Sequence, residues 1–543
     1  KPLTADAVYV NGKVVTMDAA GHVVQALAIR DGKILATGTN KFVKRYADSA
    51  TKVVDLKGRT VLPGFIDNHA HPQIAIRMQT YLDAHFSVVP SLAVMLEKLS
   101  ERAKATPPGD WVIVAGSAAN TTYYTEKRNP TRRELDDAAP GYPVLYLNGP
   151  HTMVANSLAL TKMAVKHGEK TQKGAFVELD ESGAPTGVIH EGSPFFPELK
   201  LPAELLQRYV REEIPAYFLP RGYTTVTDIM PLPNYDAVRE VAATGARMPI
   251  RYVTVVFADA GGKYLPKDLS KLAMPPTADP DWFRFAGIKI WLDGDIPVRT
   301  GFLLGNYAGE PNAHGFSTNT QQELNTLVSR VHEAGLGLFM HCTGDRANVM
   351  ALDAYEQAQK QGGPKTLMRI EHLGVFMLGP DVLPRAKALD VKAIVTPGWI
   401  YTLSAVTVNN LGAAIANVQA FQFKKMIEAG LEPAYGSDLT GFQRGTDNPF
   451  MHIQALITRR AADGSIFLPK QAVTMDQALR MMTIWAAKGI GDEKTKGSLE
   501  PGKFADMIVL SDDIMTINPV KITSIKVIET IVGGERVYQR PGG

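Results

Sequence analysis

Eight short runs rich in β-branched and apolar residues recur through the middle of the chain, at 65–69, 223–228, 251–257, 285–291, 336–341, 368–372, 392–396 and 432–437. Between them the sequence changes to helical patterns. Strand-like runs that alternate with helices build parallel βα units, since a parallel neighbour is reached only by a crossover. Eight such units close into a (β/α)8 barrel of the TIM type, whose chemistry sits at the C-terminal ends of its strands. The expected fold class is therefore α/β.

Both ends of the chain have a different texture. Residues 7–16 carry Asn11-Gly12 between two β-rich runs, a hairpin signal, and 26–36 repeat the design around Asp31-Gly32. A third β-rich run at 51–56 leads on to Pro63-Gly64. At the other end, 497–510 reads as a turn and a buried strand, and 525–538 as a hairpin around Gly533-Gly534. Neither set is large enough to bury a core alone. The two ends are expected to pair into one small β-sandwich, 1–62 with 487–543, beside a barrel at 63–486. The gap between the first two barrel strands, about 72–222, far exceeds a βα connection. With a helix at 92–100, a strand at 111–115 and a helix from 132, it reads as an insertion over the barrel mouth that shapes a pocket and excludes water.

Composition narrows the function. The 543 residues carry a net charge of +3 with no Lys/Arg run, which points away from nucleic acid and anionic membranes. No apolar stretch reaches 18 residues, so no transmembrane helix is expected. The single Cys342 excludes an intramolecular disulfide framework and a Cys-rich zinc site. The chain begins at Lys1 rather than Met, so a cytoplasmic location and, after loss of a leader, a periplasmic or secreted one are both compatible.

Polar residues then fall on this frame. His69 and His71 stand two apart at the end of the first strand, so both imidazoles can face one space. Twelve histidines in 543 residues supply about 0.3 His-x-His pairs by chance, so the pair alone is a weak signal. Its weight comes from company. Lys289 lies in the fourth strand, His341 ends the fifth, His372 the sixth, and Asp438 follows the eighth. All sit near the same end of a barrel strand, where four histidines and a carboxylate suit zinc or a similar divalent metal. Lys289 admits two readings. It is a buried lysine paired with Asp293 or Asp228, or its desolvated amine has taken up carbon dioxide to become a carbamate able to bridge two metals.

These residues lie in motifs: Pro-Gly-Phe-Ile-Asp-Asn-His-Ala-His (63–71), Gly-Tyr-Thr-Thr-Val-Thr-Asp (222–228) and Ile-Lys-Ile-Trp-Leu-Asp-Gly (288–294). Others are His-Cys-Thr-Gly-Asp-Arg-Ala (341–347), Glu-His (371–372), Gly-Ser-Asp (436–438) and Gly-Ser-Leu-Glu-Pro-Gly-Lys-Phe-Ala-Asp (497–506). In combination they resemble the amidohydrolase superfamily. Within it they resemble the YtcJ-like metal-dependent hydrolases (the amidohydrolase 3 family), a group that includes N-substituted formamide deformylase. The resemblance implies a binuclear zinc site acting on a small-molecule substrate, in a chain that is compatible with a homo-oligomer. His69 and His71 would bind the first metal, His341 and His372 the second, with carboxylated Lys289 bridging. Asp438 would bind the first metal and serve as general base in cleaving an amide-like carbon–nitrogen bond. Asp293 and Asp345 are candidates to orient ligands from behind. The stretch 151–160 also resembles the family and makes His151 a candidate to reach the pocket. Phe302 and Tyr307, with Phe86, Tyr123, Tyr124, Phe195 and Phe196, are candidates to line an apolar acyl or aryl pocket.

Other readings share the site. A cyclic amide, carbamate or ester hydrolase would use the same residues. A deaminase would place a glutamate a few residues after a barrel histidine, whereas His341 is followed by Cys-Thr-Gly-Asp. A non-catalytic metal- or ligand-binding protein would have no need of all six candidate ligands.

Overall fold

The computed structural model describes residues 3–78, 80–172, 175–192, 203–245, 247–258, 260–263, 265–439 and 447–542. One sheet holds eight parallel strands: β1 (Phe65–Ala70), β2 (Tyr223–Met230), β3 (Arg251–Ala258), β4 (Phe283–Trp291), β5 (Gly337–His341), β6 (Met368–Glu371), β7 (Lys392–Val395) and β8 (Ala434–Tyr435). Each pairs with the next in chain order. Ala70 pairs in parallel with Leu439, just past β8, and brings the sheet round on itself. At this seam the Asp438 N–H donates to His69 O at 2.7 Å and the His71 N–H to Leu439 O at 2.9 Å. The expected barrel is thus present. Strand alternation sorts its side chains. Phe339 meets Ile229 and Val255 in an apolar layer inside, while Leu338, Met340 and Cys342 pack with the surrounding core.

β8 is shorter than the run at 432–437 suggests. The chain leaves the sheet at Gly436, where a Cβ would come within 2.6 Å of the His69 Cβ. Only a residue without a side chain lets the last strand approach the first this closely.

Between β1 and β2 the chain builds a second, seven-stranded sheet, running from Leu82–Asp83 to Pro185–His190. The helix Leu92–Ala105 starts on its N-cap Ser91, and Arg132–Ala138 on a Thr131/Glu134 capping box. Apolar residues of this unit fall into two clusters. Its three central strands, Val112–Ala115, Val144–Leu147 and Thr152–Ala155, are therefore buried on both faces, as their nearly unbroken apolar sequences require.

The chain termini form two further sheets. Ala7–Val10, Ala26–Arg30, Lys33–Gly38 and Lys52–Asp55 make one. Lys13–Val15, Val23–Val24 and Thr60–Pro63 join Met507–Leu510, Val527–Val532 and Glu535–Gln539 in the other. Tyr9, Leu27, Ile29, Leu56, Val61, Met507 and Ile531 meet between the two sheets. The hairpins at Asp31-Gly32 and Gly533-Gly534 form. The one expected at Asn11-Gly12 does not. Strand Ala7–Val10 pairs within the first sheet and Lys13–Val15 within the second, so Asn11-Gly12 is a crossing between layers. Contacts made there favour the crossing. Leu56 occupies the space where Gly12 would carry a Cβ, and the Asn11 side chain bonds Asp55 and Asn40. Among the described residues no helix is long and apolar enough to cross a membrane.

Candidate metal centre and active site

The strand ends deliver six polar side chains to one buried place. His69 comes from β1 and His71 from the residue after it, Lys289 from β4, His341 from the last position of β5. His372 follows β6 and Asp438 lies three residues past β8. Both of these have left-handed backbones, with φ of 68° and 47°. Such a conformation costs a side-chain-bearing residue roughly 1–2 kcal/mol and clusters at functional sites. His69 Nε2 and His71 Nε2 lie 3.5 and 3.3 Å from Asp438 Oδ1, and His372 Nε2 lies 3.9 Å from Oδ2. The His372 ring centroid is 5.0 Å from that of His69 and 4.9 Å from that of His341. His69, His372 and Asp438 each offer a ligand atom within 4.8 Å of the others.

Three of the imidazoles are tied from behind by one nitrogen, which leaves the other for the centre. His69 Nδ1 donates to Glu371 Oε2 at 2.5 Å, and His71 Nδ1 to Ile229 O at 2.8 Å. His341 uses Nε2 instead, on Gly294 O at 3.0 Å. This is how metal-binding histidines are oriented. Glu371 is itself gripped by Arg369, Nε to Oε1 at 2.6 Å and Nη2 to Oε2 at 2.9 Å. Behind His372, Trp399 stacks at 5.0 Å.

Burial sets the charges. It pushes His69 down to about 4 and His341 and His372 well below their ordinary value, so all three are neutral at neutral pH, the form in which a histidine can bind metal. Burial opposes ionisation of Asp438, but His69, His71 and His372 outweigh it and hold the carboxyl well below the usual range. Burial lowers Lys289 to about 8. Its Nζ is buried without a hydrogen-bond partner. The paired-lysine reading does not hold, since no ion pair joins Lys289 to either carboxylate: Asp228 accepts from Tyr252 and Gln73 through Oδ2, and Asp293 accepts from the N–H groups of Phe302, Thr343 and Gly344. Neutral imidazoles and an ionised carboxylate fit a divalent metal as a donor set.

The other expected residues divide. His151 is brought in by the insertion. Its ring lies 5.1 Å from those of His341 and Trp291, and its Nδ1 is 2.8 Å from Glu191 Oε1. Burial disfavours its cation, yet Glu191 beside it lifts His151 to about 9. Asp293 lies 3.7 Å from His341 Nε2, but the Gly294 carbonyl takes that nitrogen, and Asp293 instead pins the loops after β4 and β5. Asp345 accepts from the Leu304 and Arg346 N–H groups and touches none of the ligands. Phe302 turns its ring to Arg346 and His314, and Tyr307 donates its hydroxyl to Gly301 O. Neither ring contacts a ligand histidine, because the backbone ties of this loop decide where they point. Phe86 and Tyr123 stack on each other at 4.4 Å, and Tyr124 bonds Ala84 O. Phe195 and Phe196 lie outside the described residues.

A profile of the amidohydrolase family matches residues 52–538. The chain belongs to this family. Over 99% of both chains, this amidohydrolase is 28% identical to the N-substituted formamide deformylase of Arthrobacter pascens. It is 26% identical to the putative amidohydrolase YtcJ of Bacillus subtilis, over 98% of this chain and 99% of that one. An uncharacterized metal-dependent hydrolase from Pyrococcus horikoshii has the same fold, with a TM-score of 0.73 at 23% identity, covering 95% of this chain and 99% of that one.

Several residues of the amidohydrolase centre escape a reading of the sequence. Glu371 and Arg369 are the main ones, and a signal for them exists. They alternate on β6, a strand whose inner face should be apolar unless a buried pair serves something. Glu191, Trp291 and Trp399 had no such mark. Their places depend on how the insertion and the loops fold over the barrel.

Proposed function

We propose that this amidohydrolase cleaves an amide-like carbon–nitrogen bond of a small molecule with water. In this reading His69, His71 and Asp438 would hold one zinc ion and His341 and His372 a second, with carboxylated Lys289 as the ligand the two would share. Other divalent metals suit the same donors. The observation that carries the reading is Lys289. An amine buried without a partner amid four histidines and an ionised aspartate is hard to explain as structure, and a carbamate there would give it both charge and ligands. The similarity to a formamide deformylase supports the amide class.

Bound metal of this kind polarises a carbonyl and acidifies water. Asp438 would take a proton from the attacking water and return it to the leaving nitrogen, so that amide and water become carboxylic acid and amine. His151, clamped by Glu191, offers its far ring edge to the substrate from the insertion side. A cyclic amide, carbamate or ester would meet the same groups.

The test combines metal analysis with turnover of a panel of N-acyl and N-aryl amides. The wild type should hold divalent metal and hydrolyse at least one member. Asp438→Asn should lose activity about 10²–10⁴-fold, the scale of a lost general base. Wild-type turnover in Asp438→Asn would remove its assigned role. Bound metal with no hydrolysis of any compound would make this a binding protein.

A further inference from the structure

Two aromatic side chains stand inside the barrel mouth, and the reaction described above gives them no role. Phe257 lies on β3 and Trp291 ends β4. Both face inward. Phe257 packs on the apolar layer of Ile229, Val255 and Phe339. Trp291 shares a strand face with Lys289, whose Nζ lies 6.0 Å from its ring centroid. The Phe257 ring stacks on two others, with centroids 5.7 Å from that of His71 and 5.1 Å from that of Trp291. Trp291 continues the row to His341 at 5.4 Å, and His151 of the insertion meets it nearly at right angles at 5.1 Å. Phe302 and Tyr307, where an apolar pocket was expected, make no such contact with the histidines.

These rings are open to solvent where the groups around them are closed. His69, His71, Lys289, His341 and His372 are 1–3% exposed, whereas Phe257, Trp291 and Asp438 are only partly buried. Phe257 and Trp291 point into the barrel, so their free area borders its mouth. His71 links that area to the candidate base. Its Nε2 lies 3.3 Å from Asp438 Oδ1, and its ring is nearly parallel to that of Phe257. The open space beside Asp438 is therefore walled on this side by aromatic rings. The wall is apolar. Phe257 has no polar side-chain atom, and the Trp291 indole N–H is fully buried with no hydrogen-bond partner, so it is turned away from the space. Aromatic surface left wet inside a cleft is covered favourably by an apolar ligand group.

We propose that Phe257 and Trp291 are the specificity wall of this site and receive an aryl group that the substrate carries beside its scissile amide. A substrate ring would bury its area against both and extend their row by the offset or edge-to-face packing that aromatic pairs favour. A small alkyl group in the same place leaves the wall wet. The inference rests on the amide-hydrolase reading and specifies its substrate class as aryl-bearing amides. If the two rings did no more than support His71 and His341, removing one would weaken metal binding and turnover of every substrate alike.

The test uses the metal-loaded enzyme and two matched pairs of amides. One pair shares its amine and carries an acetyl or a phenylacetyl group. The other shares its acyl group and carries an N-ethyl or an N-phenethyl group. The phenyl ring is set back from the reacting bond, so the chemistry within a pair is matched. The ratio of kcat/KM within a pair is independent of the fraction of active enzyme, which separates recognition from loss of fold or metal. The rise in Tm on adding each compound is the second readout. The wild type should favour the phenyl member of at least one pair about ten- to hundredfold, the scale of burying one aromatic group. Trp291→Ala should bring that ratio close to one, Trp291→Phe should fall between, and Phe257→Ala should lower it in the same pair. No phenyl preference in either pair would overturn the assignment and leave the hydrolase reading intact. So would a ratio kept in Trp291→Ala, including one kept while bound metal and turnover of both members fall together. A phenyl-selective rise in Tm without cleavage, lost in Trp291→Ala, would support the assignment and overturn the hydrolase reading. Neither cleavage nor a rise in Tm with any of the compounds would overturn both.

Discussion

Glu371 shows how much of a candidate metal centre lies one bond behind its proposed ligands. The carboxylate holds His69 Nδ1 at 2.5 Å, and Arg369 holds both of its oxygens. Arg369 also donates to the carbonyls of Asn68 and Gly489, so the pair ties β6 to β1 beneath the centre. Burial opposes the charge on Glu371, and Arg369, His69 and Lys289 outweigh it and keep the group ionised. An ionised acceptor fixes the His69 tautomer with Nε2 free for metal. Glu371→Gln keeps the shape but lets the amide NH2 turn toward His69 and compete for that tautomer. The expected outcome is a metal affinity lower by about 10–100-fold, measured by competition with a chromophoric chelator, with activity regained at high metal. Unchanged affinity would reduce Glu371 to a structural partner of Arg369. The candidate ligands themselves were legible as a cluster because histidines at strand ends are rare enough to notice. Their supports were not, since a glutamate beside a histidine looks ordinary until the left-handed turn at His372 shows that both side chains face inward.

Among the elements, the eight barrel strands were legible because strands covered on both faces read as apolar, β-branched runs. The long insertion was legible only as an excess of length. Its seven-stranded sheet mixes parallel and antiparallel pairs, and such pairings depend on contacts distant in sequence. The Asn11-Gly12 turn failed for a related reason, as local turn chemistry was overruled by the layer each flanking strand could join. The barrel seam lies between these cases. β8 has only two strand residues, and its grip on β1 depends on Gly436 passing close to His69. A methyl group there would lie 2.6 Å from the His69 Cβ and 3.2 Å from its backbone nitrogen. Gly436→Ala should therefore push β8 away from β1 and carry Asp438 out of register with the histidines. The expected loss is about 1–3 kcal/mol of stability, as for an overpacked core, together with bound metal. Thermal melting and metal content of the purified variant measure both. Full metal content at an unchanged Tm would show that the seam gives way without moving the site.

At the scale of the whole molecule, the barrel is joined to the sheets built by the chain ends through a buried ion pair. Arg251 on β3 donates to Asp506 through Nε at 2.6 Å and Nη2 at 2.9 Å, and through Nη1 to Asp281 O at 2.8 Å. Asp506 in turn accepts the Gly533 N–H through its side chain and the Gly64 N–H through its carbonyl. One residue near the C-terminus thus touches β3, the last hairpin and the turn that enters β1. The guanidinium lies 3.8 Å from the Phe504 ring centroid and 4.5 Å from that of Trp282, so its faces are covered as well as its edges. Taking two such charges out of water is costly, and their attraction roughly offsets that cost. The pair is therefore better explained by placement than by net stability: apolar side chains could fill the space but would not set the orientation of the sheet on the barrel. Two variants separate these roles. Asp506→Leu alone strands a buried cation and should cost about 3–5 kcal/mol, read as a Tm lower by several degrees at a fixed scan rate. Arg251→Met with Asp506→Leu removes both charges and should recover part of that loss, because the two residues are coupled rather than additive. The Gly533 N–H stays unpaired in both variants, so recovery should be incomplete. A double variant as unstable as Asp506→Leu would mean that packing, not the stranded charge, dominates. A double variant that melts like the wild type but has lost activity would mean that this junction acts on the site, through β3 and the turn at Gly64 that leads to His69.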